Sequence, residues 1–120
     1  MQSKNNSRAR YQERFLRNGS LLLTHNQLAL LQGLLDRPGG VAFSTRDFAR
    51  AALPYVWRYR EEPNAHSLWH AARRLPVHWV SSAHYGNRIV WTLTARGRAI
   101  VEHRIPSHVR GVGPYTQRGT

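Results

Sequence analysis

The sequence predicts a mostly α-helical α+β domain with one small β-hairpin. Three observations predict it. Leu, Ala and Phe recur at three- and four-residue spacing in separate capped segments between residues 24 and 75, as in amphipathic helices. Two runs rich in Val, Ile and Trp, VHWVSS and RIVWTL, then flank the turn signal AHYGN. The second run ends in Leu93-Thr94, with Gly97 three residues after the threonine. That spacing is expected where a strand passes directly into a helix capped by Thr94 and closely packed at Gly97.

In chain order, residues 1–19 are expected to be a basic arm or short helix. Within it, Ser7 would cap SRARYQERFLRNG, Tyr11 and Phe15 would share a face, and Asn18-Gly19 would end it. Residues 1–6 are polar and read as mobile. Thr24 and Gln27 spell a capping box, after which Leu28, Leu31, Leu34 and Leu35 recur until Arg37-Pro38-Gly39-Gly40. Leu30 makes that leucine face wider than one contact needs, so it is expected to meet the N-terminal segment or a second subunit, and a homodimer would form through the N-terminal segment or this leucine-rich helix. Val41 to Phe43 is extended. Ser44 and Asp47 are expected to form a second capping box opening the next helix, with Phe48, Ala49, Ala52 and Leu53 inward and Pro54 as its stop. Residues 55–63, YVWRYREEP, fit a loop or a helical turn equally well.

A third helix is expected from Asn64, its cap, to Leu75, with Pro76 ending it. Leu68, Ala71, Ala72 and Leu75 project to one side, and His66, His70 and Arg73 to the other, with Ser67 and Arg74 beside them. In the hairpin, Ile89, Trp91 and Leu93 should point inward, and Trp79 and Trp91 are placed to form a cross-strand pair. The last helix runs from Ala95 to about Arg104. Residues 106–120 lack periodicity and are expected to be a flexible basic tail, which leaves residues 20–105 as the domain.

Charge narrows the function. The 120 residues carry 18 Lys and Arg against 6 Asp and Glu, a net charge of +12, and every cation except Lys4 is arginine. Such a surface repels itself unless an anionic partner neutralises it, so nucleic acid leads, ahead of membrane headgroups and acidic proteins. No apolar run approaches the roughly 18 residues of a membrane span, and MQSKNNSRAR lacks a signal-peptide core. A cytoplasmic, nucleoid-associated location with no membrane partner is expected. Cysteine is absent, which excludes disulfides and thiolate metal sites.

The segments LTHNQLALLQGLL, STRDFARAAL, SLWHAARRL and WTLTARGRAIVE resemble successive elements of winged-helix regulators of the MarR and ArsR type. The Leu93-Thr94-x-x-Gly97-Arg98 junction resembles the turn that closes the wing in those families. The resemblance implies a winged helix-turn-helix whose third core helix enters a DNA groove. It would place His66, Ser67, His70, Arg73 and Arg74 toward the groove, with Tyr85, Asn87 and Arg88 on the wing and Arg46 flanking. Two features depart from the pattern: the link between the second and third helices is long, and no long dimerisation helix follows Arg104. The expected function is sequence-specific binding of double-stranded DNA by a transcriptional regulator of a phage, plasmid or other mobile element. The alternative is an RNA-binding ribonucleoprotein component, or an inhibitor of a nucleic-acid-handling complex, on the same fold.

Other chemistries find less support. His66 and His70 have the i,i+4 spacing of a zinc chelate that His78 or His84 would complete, yet position 67 is serine, so the metalloprotease pattern is absent, and no carboxylate or thiolate stands out as a further ligand. His70-Ala71-Ala72-Arg73 matches the H-x-x-R element of tyrosine recombinases, in a chain too short for that catalytic domain. The acids Glu13, Asp36, Asp47, Glu61, Glu62 and Glu102 supply no acid–base pair, so neither enzymatic activity nor a cofactor is expected. Tyr55, Trp57 and Tyr59, interleaved with arginines, have the composition of a base-stacking surface for single strands or RNA, or of a partner contact.

Overall fold

The computed structural model describes residues 7–56, 65–110 and 113–114. Among them a 3-10 turn (Ser7–Arg10) precedes β1 (Arg14–Phe15), β2 (Leu21–Leu23), α1 (His25–Leu35), β3 (Val41–Ala42), α2 (Thr45–Val56) and α3 (Ala65–Ala72). There follow β4 (Val80–Tyr85), β5 (Arg88–Leu93), α4 (Ala95–Val101), β6 (Ser107–Val109) and β7 (Gly113–Pro114). The fold is α+β, with two small sheets ordered β1-β2-β6-β7 and β3-β5-β4. Residues 1–6, the cap Asn64, and the aromatics Trp57 and Tyr59 lie outside the described residues.

α1 is the central element because its local chemistry and its packing agree. Thr24 Oγ1 accepts the Gln27 amide at 3.1 Å while Gln27 Oε1 accepts the Thr24 amide at 2.9 Å, closing the capping box. Leu28, Leu30, Leu31 and Leu34 are all fully buried among α2, α3, α4 and β5. These leucines pack within the chain, so they are not offered to a second subunit. α2 approaches so closely that a Cβ on Gly33 would collide with the Ala51 carbonyl.

Ser44 Oγ caps the Asp47 amide at 2.9 Å at the start of α2, and the Asp47 carboxylate pairs with Arg37 at 3.0 Å. The helix passes through its expected stop, carrying Pro54 inside and ending at the buried Val56. Proline there removes one hydrogen bond near the helix end, and burial of Val56 offsets the loss. α3 stops three residues early, at Ala72. Leu75 stands before Pro76, where helical geometry is disfavoured, and the chain turns through Arg73 and Arg74 with Arg74 N–H donating to the Ala71 carbonyl at 3.0 Å.

The hairpin pairs Val80 with Leu93 through to Tyr85 with Arg88, so its loop is only Gly86-Asn87. Gly86 takes φ +63°, the left-handed geometry that tight hairpin loops favour. Ala83, His84 and Tyr85 therefore belong to β4 rather than to the turn, and Val77 to Trp79 form a turn before it. β3 pairs with the other edge of β5. Trp91 and Leu93 are buried and Ile89 packs against them, as alternation predicts. The cross-strand partner of Trp91 is Ser82 and not Trp79. Trp79 instead donates its indole N–H to Glu13 at 2.6 Å, and Trp91 donates to Thr45 Oγ1 at 3.0 Å.

At the strand-to-helix junction Thr94 Oγ1 accepts the Gly97 amide at 3.0 Å and donates to the Trp79 carbonyl at 2.8 Å. Gly97 lies against that same carbonyl, where a Cβ would collide. α4 ends at Val101, ahead of the expected Arg104, in a Schellman turn: His103 takes φ +63°, its amide bonds Ile100 O at 3.2 Å, and the Arg104 amide bonds Ala99 O at 2.9 Å.

Both terminal segments differ from expectation. Tyr11 and Phe15 do not share a helix face, because Gly19, at φ +90°, returns the chain so that β1 pairs antiparallel with β2. Residues 107–109, expected in the tail, pair parallel with β2, and Val109 is buried. The arm is pinned by Arg8, which is buried and donates to the carbonyls of Leu75 at 2.9 Å and Val80 at 2.8 Å and to Ser82 Oγ at 3.0 Å. Its guanidinium also lies 4.9 Å from the Trp91 ring centroid. Burial lowers the Arg8 pKa to about 10, which leaves it charged at neutral pH.

Candidate nucleic-acid interface

α3 divides its faces as the sequence predicts. Leu68, Ala72 and the following Leu75 are buried, whereas His66 and His70 are exposed on the outer side with Ser67 half-buried beside them. Arg73 and Arg74 follow, both exposed, in the turn after the helix. The five proposed groove residues are thus contiguous, but the two arginines diverge. Arg73 lays its guanidinium over Trp69, 4.8 Å from the ring centroid, while Arg74 turns toward the start of α1 and lines a cleft with His70. The Nε2 atoms of His66 and His70 lie 3.1 Å apart, so one ring donates and the other accepts.

Clefts flank the helix on both sides. One of about 470 Å³, between α2 and α3, is lined by Arg46, Arg50, His66 and Trp69. Another of about 430 Å³, between α3 and α1, is lined by Asn26, His66, Ser67, His70 and Arg74. His66 borders both, so the two clefts adjoin across α3, with Arg46 and Arg50 on one side and Arg74 on the other. A third cleft, of about 470 Å³, continues past Arg74 to Arg10, Arg14 and Arg110. No described lining residue of the three is a carboxylate.

Three of the described acids, none of them lining these clefts, are paired with arginines. Asp47 holds Arg37, Glu13 holds Arg96, and Glu102 holds Arg104 at 2.8 Å and Arg98 at 3.9 Å. Among the described residues no carboxylate comes within 4.0 Å of Arg46, Arg50, Arg73 or Arg74. Burial pushes the Glu13 carboxyl up, but hydrogen bonds from Arg96 and Trp79 outweigh it and hold the group below its ordinary value. The same hydrogen bond raises Arg96.

The hairpin supplies a second exposed group. Tyr85, 66% exposed, pairs with Arg88 across the strand end, and Asn87 occupies the loop between them. These three share none of the clefts bordering α3. Arg46, expected to flank the wing, stands in the first turn of α2 and shares its cleft with His66. Sequence reading passed over Arg50, although its i,i+4 spacing from Arg46 was visible, and Arg10, Arg14 and Arg110, which had no local signal. His78 and His84 lie in the turn before β4 and on β4, and no set of three His, Asp or Glu side chains able to hold a metal assembles among the described residues. No described helix is long and apolar enough to cross a membrane. Comparison with family models, curated proteins and solved structures found no match to the chain.

Proposed function

We propose that the chain is a winged-helix protein that binds double-stranded DNA sequence-specifically, as a transcriptional regulator. The element order α1-β3-α2-α3-β4-β5, with β5 between β3 and β4, supports the winged-helix reading. One observation carries the functional reading: carboxylates neutralise arginines around α4 and the start of α2, while Arg46, Arg50, Arg73 and Arg74 stand exposed around α3 with no carboxylate partner among the described residues. Arg46, Arg50 and Arg74 would take phosphates, releasing counterions, and α3 would present His66, Ser67, His70 and Arg73 to base edges in the major groove. The hairpin residues Tyr85, Asn87 and Arg88 would act as the wing against the backbone.

The test is binding to duplex DNA, RNA and single strands over a salt series, with duplexes selected from a random pool. The expected result is a duplex preference, a logarithmic salt slope of about −0.9 per phosphate neutralised, and about a tenfold or greater preference among sequences. Equal affinity for every nucleic acid replaces the regulator with a ribonucleoprotein component. No binding at all replaces it with a protein-directed inhibitor.

A further inference from the structure

The cleft beyond Arg74 is built from parts of the chain that the groove-reading surface does not need. Arg10 ends the 3-10 turn, Arg14 lies on β1, Arg74 follows α3 and Arg110 follows β6; the pairing of β2 with both β1 and β6 brings Arg14 and Arg110 to the same concavity of about 470 Å³ that Arg10 and Arg74 line. Like charges converging with no described carboxylate between them repel each other, and a bound polyanion removes that cost. Tyr11 reports the local potential. Its hydroxyl accepts from Arg10 Nη2 at 3.0 Å, and that bond, with the nearby charges of Arg10 and Arg74, holds its phenol below the ordinary value despite opposing desolvation. Gln27 adds a neutral hydrogen-bonding group to the wall. The volume lies in the range of small-molecule sites, and guanidinium forks match the paired oxygens of phosphoryl groups.

We propose that this cleft is a binding site for a ligand bearing two or more phosphoryl groups, held by Arg10, Arg14, Arg74 and Arg110. The site stands whether or not α3 reads a duplex, since only Arg74 belongs to both surfaces. Two sources supply this chemistry, a free nucleotide or pyrophosphate and the phosphorylated end of a nucleic-acid strand.

Calorimetric titration of the full chain with inorganic pyrophosphate tests it, using Arg14→Gln/Arg110→Gln beside Arg46→Gln/Arg50→Gln, with circular dichroism confirming that both fold. Saturable binding weakened about tenfold or more in the first pair and little changed in the second is expected. Absent binding, or equal loss in both pairs as diffuse charge would give, overturns the site. Oligonucleotides with and without a 5′-phosphate then separate the sources: a preference for the phosphorylated end that is lost in Arg14→Gln/Arg110→Gln assigns the strand end, and pyrophosphate binding without that preference assigns the free ligand. Pyrophosphate binding in a protein that ignores duplexes retires the regulator and keeps this site.

Discussion

Glu13 shows how much one side chain can join in so small a protein. It ties the N-terminal arm to Trp79 and to Arg96 on α4, and its folded carboxyl sits below the ordinary value. Its stabilisation is therefore complete above the ordinary carboxyl range, about 4.3, and is lost as pH falls through the lower folded value. Glu13→Gln should cost about 1–3 kcal/mol near neutrality, and thermal melts repeated between about pH 6 and pH 3 should show the wild type falling toward the variant. Parallel melting curves across that range contradict the assignment. At the proposed interface, Arg73→Ala should weaken binding to a preferred duplex by about 1–3 kcal/mol and relax its selectivity. Arg88→Ala should weaken every duplex alike, because a wing residue on the backbone carries no sequence information. Fluorescence anisotropy separates the two outcomes, and indifference to both substitutions moves the reading face elsewhere.

Elements show where sequence reading works. The Thr24-Gln27 box, the Ser44 cap and the Thr94-Gly97 junction were legible because each is a bond between groups three residues apart, formed wherever the helix forms. The outer face of α3 was legible for the same local reason, its periodicity. β1, β2 and β6 were not, since strands of two or three residues carry no alternation and their partners lie far along the chain. The third cleft stayed hidden with them, because only that pairing brings Arg14 beside Arg110. Gly97→Ala tests the element scale. Alanine favours helix by about 1 kcal/mol, yet its methyl group has no room against the Trp79 carbonyl, so a net loss of about 2 kcal/mol is expected in urea denaturation. A stabilised variant means α4 can slide away from the hairpin base.

At the scale of the molecule, helices and hairpin share one core, and the second sheet fastens both terminal segments onto it. Leu21 and Leu23 of β2 and Val109 of β6 are fully or almost fully buried there, with the Leu21 amide bonded to the Pro106 carbonyl at 2.8 Å and the Arg110 amide to the Leu23 carbonyl at 2.7 Å. A chain shortened to residue 105 should lose about 3 kcal/mol through re-exposed apolar surface and an unpaired strand. An unchanged urea midpoint shows that β6 is dispensable. During synthesis the same pairing imposes an order of events. β2 leaves the ribosome early and β6 late, so a nascent chain carries one raw strand edge while α1 to α4 are being made, and that edge is closed only when residues 107–109 arrive.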